Sequence, residues 1–236
     1  MLIDLHIHTR TFSPCSVLDP VEAIRVAKAK RLDGICFVEH DAIWEEAEIR
    51  HLRAVHDFLV LRGIEVSTDH GHFVTFGLDG YEDELYRLER LLERLQEAKG
   101  IAIAAHPFRD PHYLRGGYGM VGPTLRPEDA CRRRLFQWVK ILEVYNGQNT
   151  LRENQLSVEV SHQLRLVACA GSDAHTPIEV GRCVTAFQRP IRNERELIQE
   201  IATGRLKAWG PGWQLRLEGL PDLYGVQGRT GGSSDE

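Results

Sequence analysis

Short apolar runs with strand character recur along the chain at 2–7, 34–38, 58–66, 101–105, 140–145, 166–170 and 183–188, with helical patterns between them. This alternation predicts βα units around a largely parallel sheet, an α/β fold. Asp19-Pro20-Val21-Glu22 reads as a helix start, with an acidic N-cap, proline at the first position and Glu22 placed for a capping box, and the helix is expected to reach about Leu32. Over 82–98, Leu85, Leu88, Leu91, Leu92 and Leu95 recur on one helical face, and Gly100 lies just beyond the end. Residues 72–78 read as an extra strand paired to the one before. The Gly- and Pro-rich stretch 110–126 reads as a long loop, and 219–236 as a flexible tail, leaving one domain over 1–218.

Composition narrows the picture. At 236 residues, 42% apolar and 27% charged, the chain suits one folded domain, and a barrel of alternating strands and helices fits that length. A net charge of -5 argues against a broad nucleic-acid footprint. The basic run Arg132-Arg133-Arg134 reads as a solvated helix face and is given no role. The five cysteines, Cys15, Cys36, Cys131, Cys169 and Cys183, lack C-x-x-C spacing and are odd in number, which suits reduced thiols, with Cys36 and Cys169 inside apolar runs. No leader pattern and no long apolar run is present in the sequence, so the expected location is cytoplasmic, with no membrane association and no stable protein partner to infer.

Eleven histidines matter by position. His6, His8, His40, His72, His106 and His175 fall where predicted strands end or loops begin. His6 and His8 form an H-x-H pair, which period-two geometry aims to one face as candidate ligands of a divalent ion. Glu65, the E-H-D stretch 39–41, His106 and Asp173 stand at other strand ends, where burying charge without a partner is costly and metal coordination would compensate. Imidazoles mixed with carboxylates suit Zn, Mn or Fe better than a lone Mg or Ca site. Glu143 and Asn146 end a strand on the same rim and are candidates to orient ligands. Arg109 is the best candidate cation for a phosphate, with a salt bridge as its alternative; Arg182 is a weaker one. His70 is an alternative to His72, and His112 a lesser candidate for substrate contact. His51, His56 and His162 read as surface residues.

In order, D-L-H-I-H-T, E-H-D, G-I-E-V, G-H-F, A-H-P-F-R, E-V-Y-N-G and G-S-D-A-H resemble the PHP (polymerase and histidinol phosphatase) family of phosphoesterases over residues 4–188. The resemblance implies a distorted (β/α)7 barrel, TIM-barrel-like, with two or three metal ions at the C-terminal ends of its strands. It further implies that His6, His8, Glu65 and Asp173 hold one metal, that Glu65, His72 and His106 hold a second with Glu65 bridging, and that His40 and His175 hold a third. Members of that family usually add an Asp or His to the third site shortly after the H-x-H pair. Here that stretch reads Thr11-Phe12-Ser13-Pro14-Cys15-Ser16, so either Cys15 substitutes as a thiolate or the third site is weak or empty.

The expected activity is hydrolysis of a small phosphorylated substrate by a metal-activated water: a nucleotide, a short oligonucleotide, a sugar phosphate or histidinol phosphate. Two rivals remain. One is an amidohydrolase, which also begins with H-x-H and ends with a late Asp on a barrel. The other is a metal-stabilised regulatory or binding domain with little turnover.

Overall fold

The structure, a computed structural model, describes residues 1–109 and 125–214. The 110–126 loop apart from its last two residues, His112, and the boundary at 218 lie outside the described residues. Nine strands form one sheet: β1 (Leu2–Ile7), β2 (Gly34–His40), β3 (Leu59–Thr68), β4 (Gly71–Phe76), β5 (Ile101–Ala104), β6 (Ile141–Asn146), β7 (Val167–Gly171), β8 (Val184–Phe187) and β9 (Leu206–Trp209). Their spatial order is β7-β6-β5-β4-β3-β2-β1-β8-β9. The sheet curls until β7 approaches β1 and β9, and Ile7 bridges Ala174, giving a nearly closed barrel.

The helices are α1 (Pro20–Ala29), α2 (Glu46–His56), α3 (Leu88–Ala98), the short α4 (Pro127–Ala130), α5 (Leu151–Leu164) and α6 (Glu194–Thr203). No described helix is long and apolar enough to cross a membrane. Ile3 and Leu5 of β1, Cys36 and Val38 of β2, Leu61 of β3, Val74 and Phe76 of β4, and Ile103 of β5 share the barrel interior. Leu197 and Ile201 of α6 join that cluster together with Met1, Leu59, Ile101, Val167 and Leu206, so α6 covers the end where most strands begin. The opposite rim, where those strands finish, is left for chemistry.

Strand direction corrects one detail of the sequence reading. β1, β2, β3, β5, β6, β7 and β9 run one way, whereas β4 and β8 run the other. The predicted strand at 183–188 is therefore antiparallel to β1, and the seventh co-directional strand is β9, whose short run Leu206–Trp209 gave no clear signal. Because β4 is reversed, it brings its first residues, including His72, to the rim that its neighbours reach with their last.

Helix ends differ for local reasons. Asp19 caps α1 by accepting from the backbone N–H groups of Val21 and Glu22, but Glu22 turns to Arg25 instead of closing a capping box, and the helix ends at Ala29 with Arg31 at φ 58°. The 82–98 pattern splits into a 3-10 turn (Asp83–Tyr86) and α3. Asp69, in the β3–β4 turn, donates its N–H to the Tyr86 carbonyl and accepts from Leu88 N through its carboxylate at 3.0 Å, which breaks the helix at Arg87 and caps α3 from outside.

Two irregularities set the site. The β1–β2 pairing shifts register between Asp4 and Ile7. Ile3 and Leu5 belong to the interior, while Ile7 packs with α1 and α2 residues outside the barrel, so the side-chain alternation changes phase between Leu5 and Ile7. His6 and His8 are thereby brought above the interior cluster. In β6 a second shift falls between Glu143 and Tyr145; Val144 and Tyr145 both pack into the outer cluster, and Glu143 and Asn146, three apart in sequence, meet on one side.

Candidate metal centre

All eight residues read from the sequence as ligands converge on this rim. His6 and His8 leave β1, His40 ends β2, Glu65 lies near the end of β3, His72 begins β4, His106 follows β5, and Asp173 and His175 follow β7. Glu65 is central and fully buried. Its Oε1 lies 3.5 Å from His6 Nε2, 3.2 Å from His72 Nδ1 and 2.9 Å from His106 Nε2. Its Oε2 lies 3.2 Å from His8 Nε2 and 2.8 Å from His40 Nδ1. Asp173 Oδ1 lies 3.6 Å from His6 Nε2 and 3.3 Å from His8 Nε2.

Donor atoms within 4.8 Å of one another form four groups among the described residues: His6, His8 and Glu65; His6, His106 and Asp173; His40, Glu65 and His72; His8, His40 and His175. Cys15 falls in none of them and is exposed; burial of part of its side chain pushes its thiol up, away from a thiolate. His70 turns away, edge-on to Trp138 at 5.0 Å, which separates it from His72. His51 and His162 are exposed and His56 half-buried, all away from this cluster.

The donor set fits cations. The His6 and His8 Nε2 atoms stand 3.0 Å apart, while Glu143 Oε1 takes the Nδ1 side of His6 at 2.9 Å. With its proton on Nδ1, neutral His6 directs an Nε2 lone pair at another imidazole nitrogen and at carboxylate oxygens. Glu65 Oε2 is buried and accepts no hydrogen bond from the described residues, although two imidazole nitrogens are near. Such a cage of lone pairs is costly without a positive charge at its centre, and imidazole plus carboxylate is the donor chemistry of divalent transition ions.

Without a cation, protons fill that need. Burial opposes charge on His8, but the adjacent carboxylates of Asp173 and Glu65 raise it to about 9. Burial likewise opposes His6, yet Glu143, Asp173 and Glu65 hold it well above the ordinary imidazole range. Burial also disfavours the charged forms of Glu65 and Asp173, but the surrounding imidazoles, and Arg109 at Asp173, keep both well below the usual carboxylate range. His106 is lowered by burial and Arg109.

Protonated His8 stabilises the metal-free fold most below its unfolded value of about 6.5, and this contribution is lost as pH rises through about 9. Metal loading near about pH 7.5 should therefore release at least one proton, a release that fades above about pH 9. Calorimetric zinc titrations in buffers of different ionisation enthalpy measure it; a buffer-independent heat at neutral pH would contradict this account.

Supporting groups complete the rim. Glu143 holds His6 through Oε1 and accepts the His106 backbone N–H at Oε2 (3.0 Å), while Asn146 Nδ2 donates to Glu143 (2.9 Å) and Asp173 (3.3 Å). Arg109 is committed to the protein: Nη2 donates to Asp173 and Asn146, both at 2.6 Å, and Nε to Asn149 at 3.1 Å. Arg182 is exposed and donates to the Gly147 carbonyl at 3.4 Å. Arg133 corrects the reading of the basic run as wholly solvated. It is half-buried, donates to the Pro107 carbonyl at 2.7 Å and lies over Phe108, bracing the segment that carries His106.

Sequence reasoning gave Asp4 and Ser13 no role of their own and took Glu39 only as part of the E-H-D stretch at a strand end. The Asp4 carboxylate accepts backbone N–H groups of His6, Ser172 and Gly181, joining the ends of β1 and β7, and burial raises it to about 6. Backbone strain is also concentrated here, for Asp41, His106 and Asp173 all have positive φ (49°, 29° and 53°).

A family model described as PHP-associated matches residues 152–206, the segment from α5 to the start of β9 that carries Asp173 and His175. A two-domain protein of Bacteroides vulgatus, said to contain a predicted PHP-like metal-dependent phosphoesterase, superposes with a TM-score of 0.60 at 20% identity over 89% of this chain and 65% of its own. The chain has a PHP-like fold. A second structure similar to this chain is an amidohydrolase of Chromobacterium violaceum with bound sulfate and no metal, at TM-score 0.58 and 21% identity over 87% and 97% of the two chains. An uncharacterised Methanocaldococcus jannaschii protein is 29% identical over 117 residues, covering 46% of this chain and 68% of the relative. At these identities the solved structures establish the PHP-like barrel and leave its chemistry to the residues.

Proposed function

We propose that this PHP-like chain is a metal-dependent phosphoesterase acting on a phosphomonoester or phosphodiester. The observation that carries the proposal is the convergence of six imidazoles on Glu65 and Asp173, with a buried Glu65 oxygen left without a hydrogen bond among the described residues. His6, His8, Glu65 and Asp173 are assigned to one ion and Glu65, His72 and His106 to a second. His40 and His175, with His8 alongside and Cys15 apart, are assigned to a third. Zn, Mn or Fe ions held there would supply Lewis-acid charge and a water acidic enough to attack phosphorus at neutral pH. Glu143 keeps His6 oriented and, with Asn146, fixes the backbone of His106 and the carboxylate of Asp173. We assign Arg109 first to holding Asp173, with substrate contact left to the rest of its guanidinium. Arg182 is a further candidate for an anionic group arriving over the rim.

Candidate substrates are a nucleotide, a short oligonucleotide, a sugar phosphate and histidinol phosphate. The test is hydrolysis of chromogenic phosphomonoesters and phosphodiesters by manganese-loaded protein, followed by a screen of natural phosphoesters. The expected result is ester turnover that a chelator abolishes and added Mn restores. Cleavage of amide substrates in place of esters would favour the amidohydrolase reading, and metal binding without any turnover the regulatory one.

A further inference from the structure

We infer that Ser13 and Glu39 form a hydrogen-bond relay that fixes the tautomer of His8 and so its capacity to hold a metal. The inference rests on reading His8 as a ligand. His8, Ser13 and Glu39 are all fully buried, so water cannot substitute for a missing partner. Ser13 Oγ lies 2.6 Å from Glu39 Oε2 and 3.3 Å from His8 Nδ1, and it accepts the His40 backbone N–H at 3.3 Å.

A serine hydroxyl has one proton. An ionised carboxylate can only accept, so that proton is committed to Glu39. Toward His8 the hydroxyl can then only accept, which requires the His8 proton on Nδ1. Once the ring is neutral, Nε2 keeps its lone pair toward Glu65 and Asp173, the form a metal needs. Glu143 achieves the same for His6 by direct contact at 2.9 Å. His8 receives its carboxylate at second hand, through a serine.

The other contacts of Glu39 make the relay directional. Oε1 collects Trp44 Nε1 at 2.8 Å, Thr9 N at 3.1 Å and the Thr9 hydroxyl at 2.5 Å, while Oε2 faces Ser13 and also accepts Thr9 N at 3.0 Å. In Glu39→Gln, the amide oxygen is required where most of these donors converge, which puts the NH2 against Ser13. The hydroxyl would then accept from glutamine and turn its own proton toward His8 Nδ1, favouring the Nε2–H tautomer. Removing one charge thus inverts the relay. Ser13 and Glu39 are positioning residues that act through His8.

The test uses the full chain. Zinc affinity is measured by competition with a chromogenic chelator for wild type, Ser13→Ala, Ser13→Thr and Glu39→Gln, with thermal melts as a check on folding. Nitrogen-15 NMR of the diamagnetic zinc form reports which His8 nitrogen carries the proton. Ser13→Ala is expected to bind zinc about 10–100-fold more weakly, Ser13→Thr to recover most of the loss, and Glu39→Gln to fall at least as far as Ser13→Ala. Wild-type His8 should carry its proton on Nδ1. Unchanged zinc affinity in Ser13→Ala, or a wild-type proton on Nε2, would overturn the relay while leaving the phosphoesterase reading standing. A wild type that bound no zinc would overturn the metal reading and the relay together. Should Glu39→Gln fail to fold, the Ser13 pair and the NMR assignment decide.

Discussion

Glu65→Gln should strip the centre of metal and reduce turnover by ~10²–10³-fold or more, whereas His51→Ala should leave both unchanged. Glu65 supplies one oxygen to His6, His72 and His106 and the other to His8 and His40, so its negative charge lies between all the proposed ion positions. Glutamine keeps the shape but presents an NH2 to imidazole nitrogens and loses the charge that lets cations sit near one another. His51 lies exposed on α2. Elemental analysis and ester turnover measure the contrast, and a Glu65→Gln protein with its full metal content would refute the central assignment.

Gly171→Ala should lower both the stability of the protein and its affinity for metal. A Cβ at position 171 would stand 2.4 Å from His6 Cβ, 2.9 Å from Glu143 Oε1 and 3.0 Å from His6 N. None of these is the loose end of a flexible side chain, so either β1 or β7 must move. Overpacking of this kind costs about 1–3 kcal/mol, and here it also pushes His6 away from Glu143. Lower denaturation midpoint and weaker zinc binding are expected together. Gly80→Ala is the control, since a Cβ there meets nothing within 4 Å. Wild-type stability and zinc affinity in Gly171→Ala would mean that the close contact of β1 with β7 is not maintained in solution.

Much of this architecture was legible because strands that fill a barrel must be apolar on their inward face, and polar residues at the ends of such runs stand out. That logic found β1 to β8 and the eight residues now clustered on the rim. It did not reveal direction: the run at 183–188 reads like the others, and only its pairing with β1 shows it to be antiparallel. Nor did it reveal the break at Arg87, because the cap of α3 comes from Asp69, a residue of another segment. Arg109 was legible as a cation near His106, but its commitment to Asp173, Asn146 and Asn149 depends on loops distant in sequence. Ser13 carries no pattern of its own, and the E-H-D stretch marked Glu39 as charge at a strand end without showing that it faces Ser13, Thr9 and Trp44.

The two register shifts work like frame shifts in a repeating text. In the sequence, Ile3, Leu5 and Ile7 alternate with Asp4, His6 and His8, so a regular strand would print Asp4 and both histidines on one side and Ile3, Leu5 and Ile7 on the other. The extra residue in β1 breaks that reading after Leu5. Asp4 is then free to fasten backbone from three segments, and the same strand supplies apolar filling below and imidazoles above. β6 repeats the device to bring Glu143 and Asn146 together. One inserted residue in each strand therefore separates two messages that a period of two would overlay: the lower part of the strand specifies a core, and the upper part specifies a reactive surface.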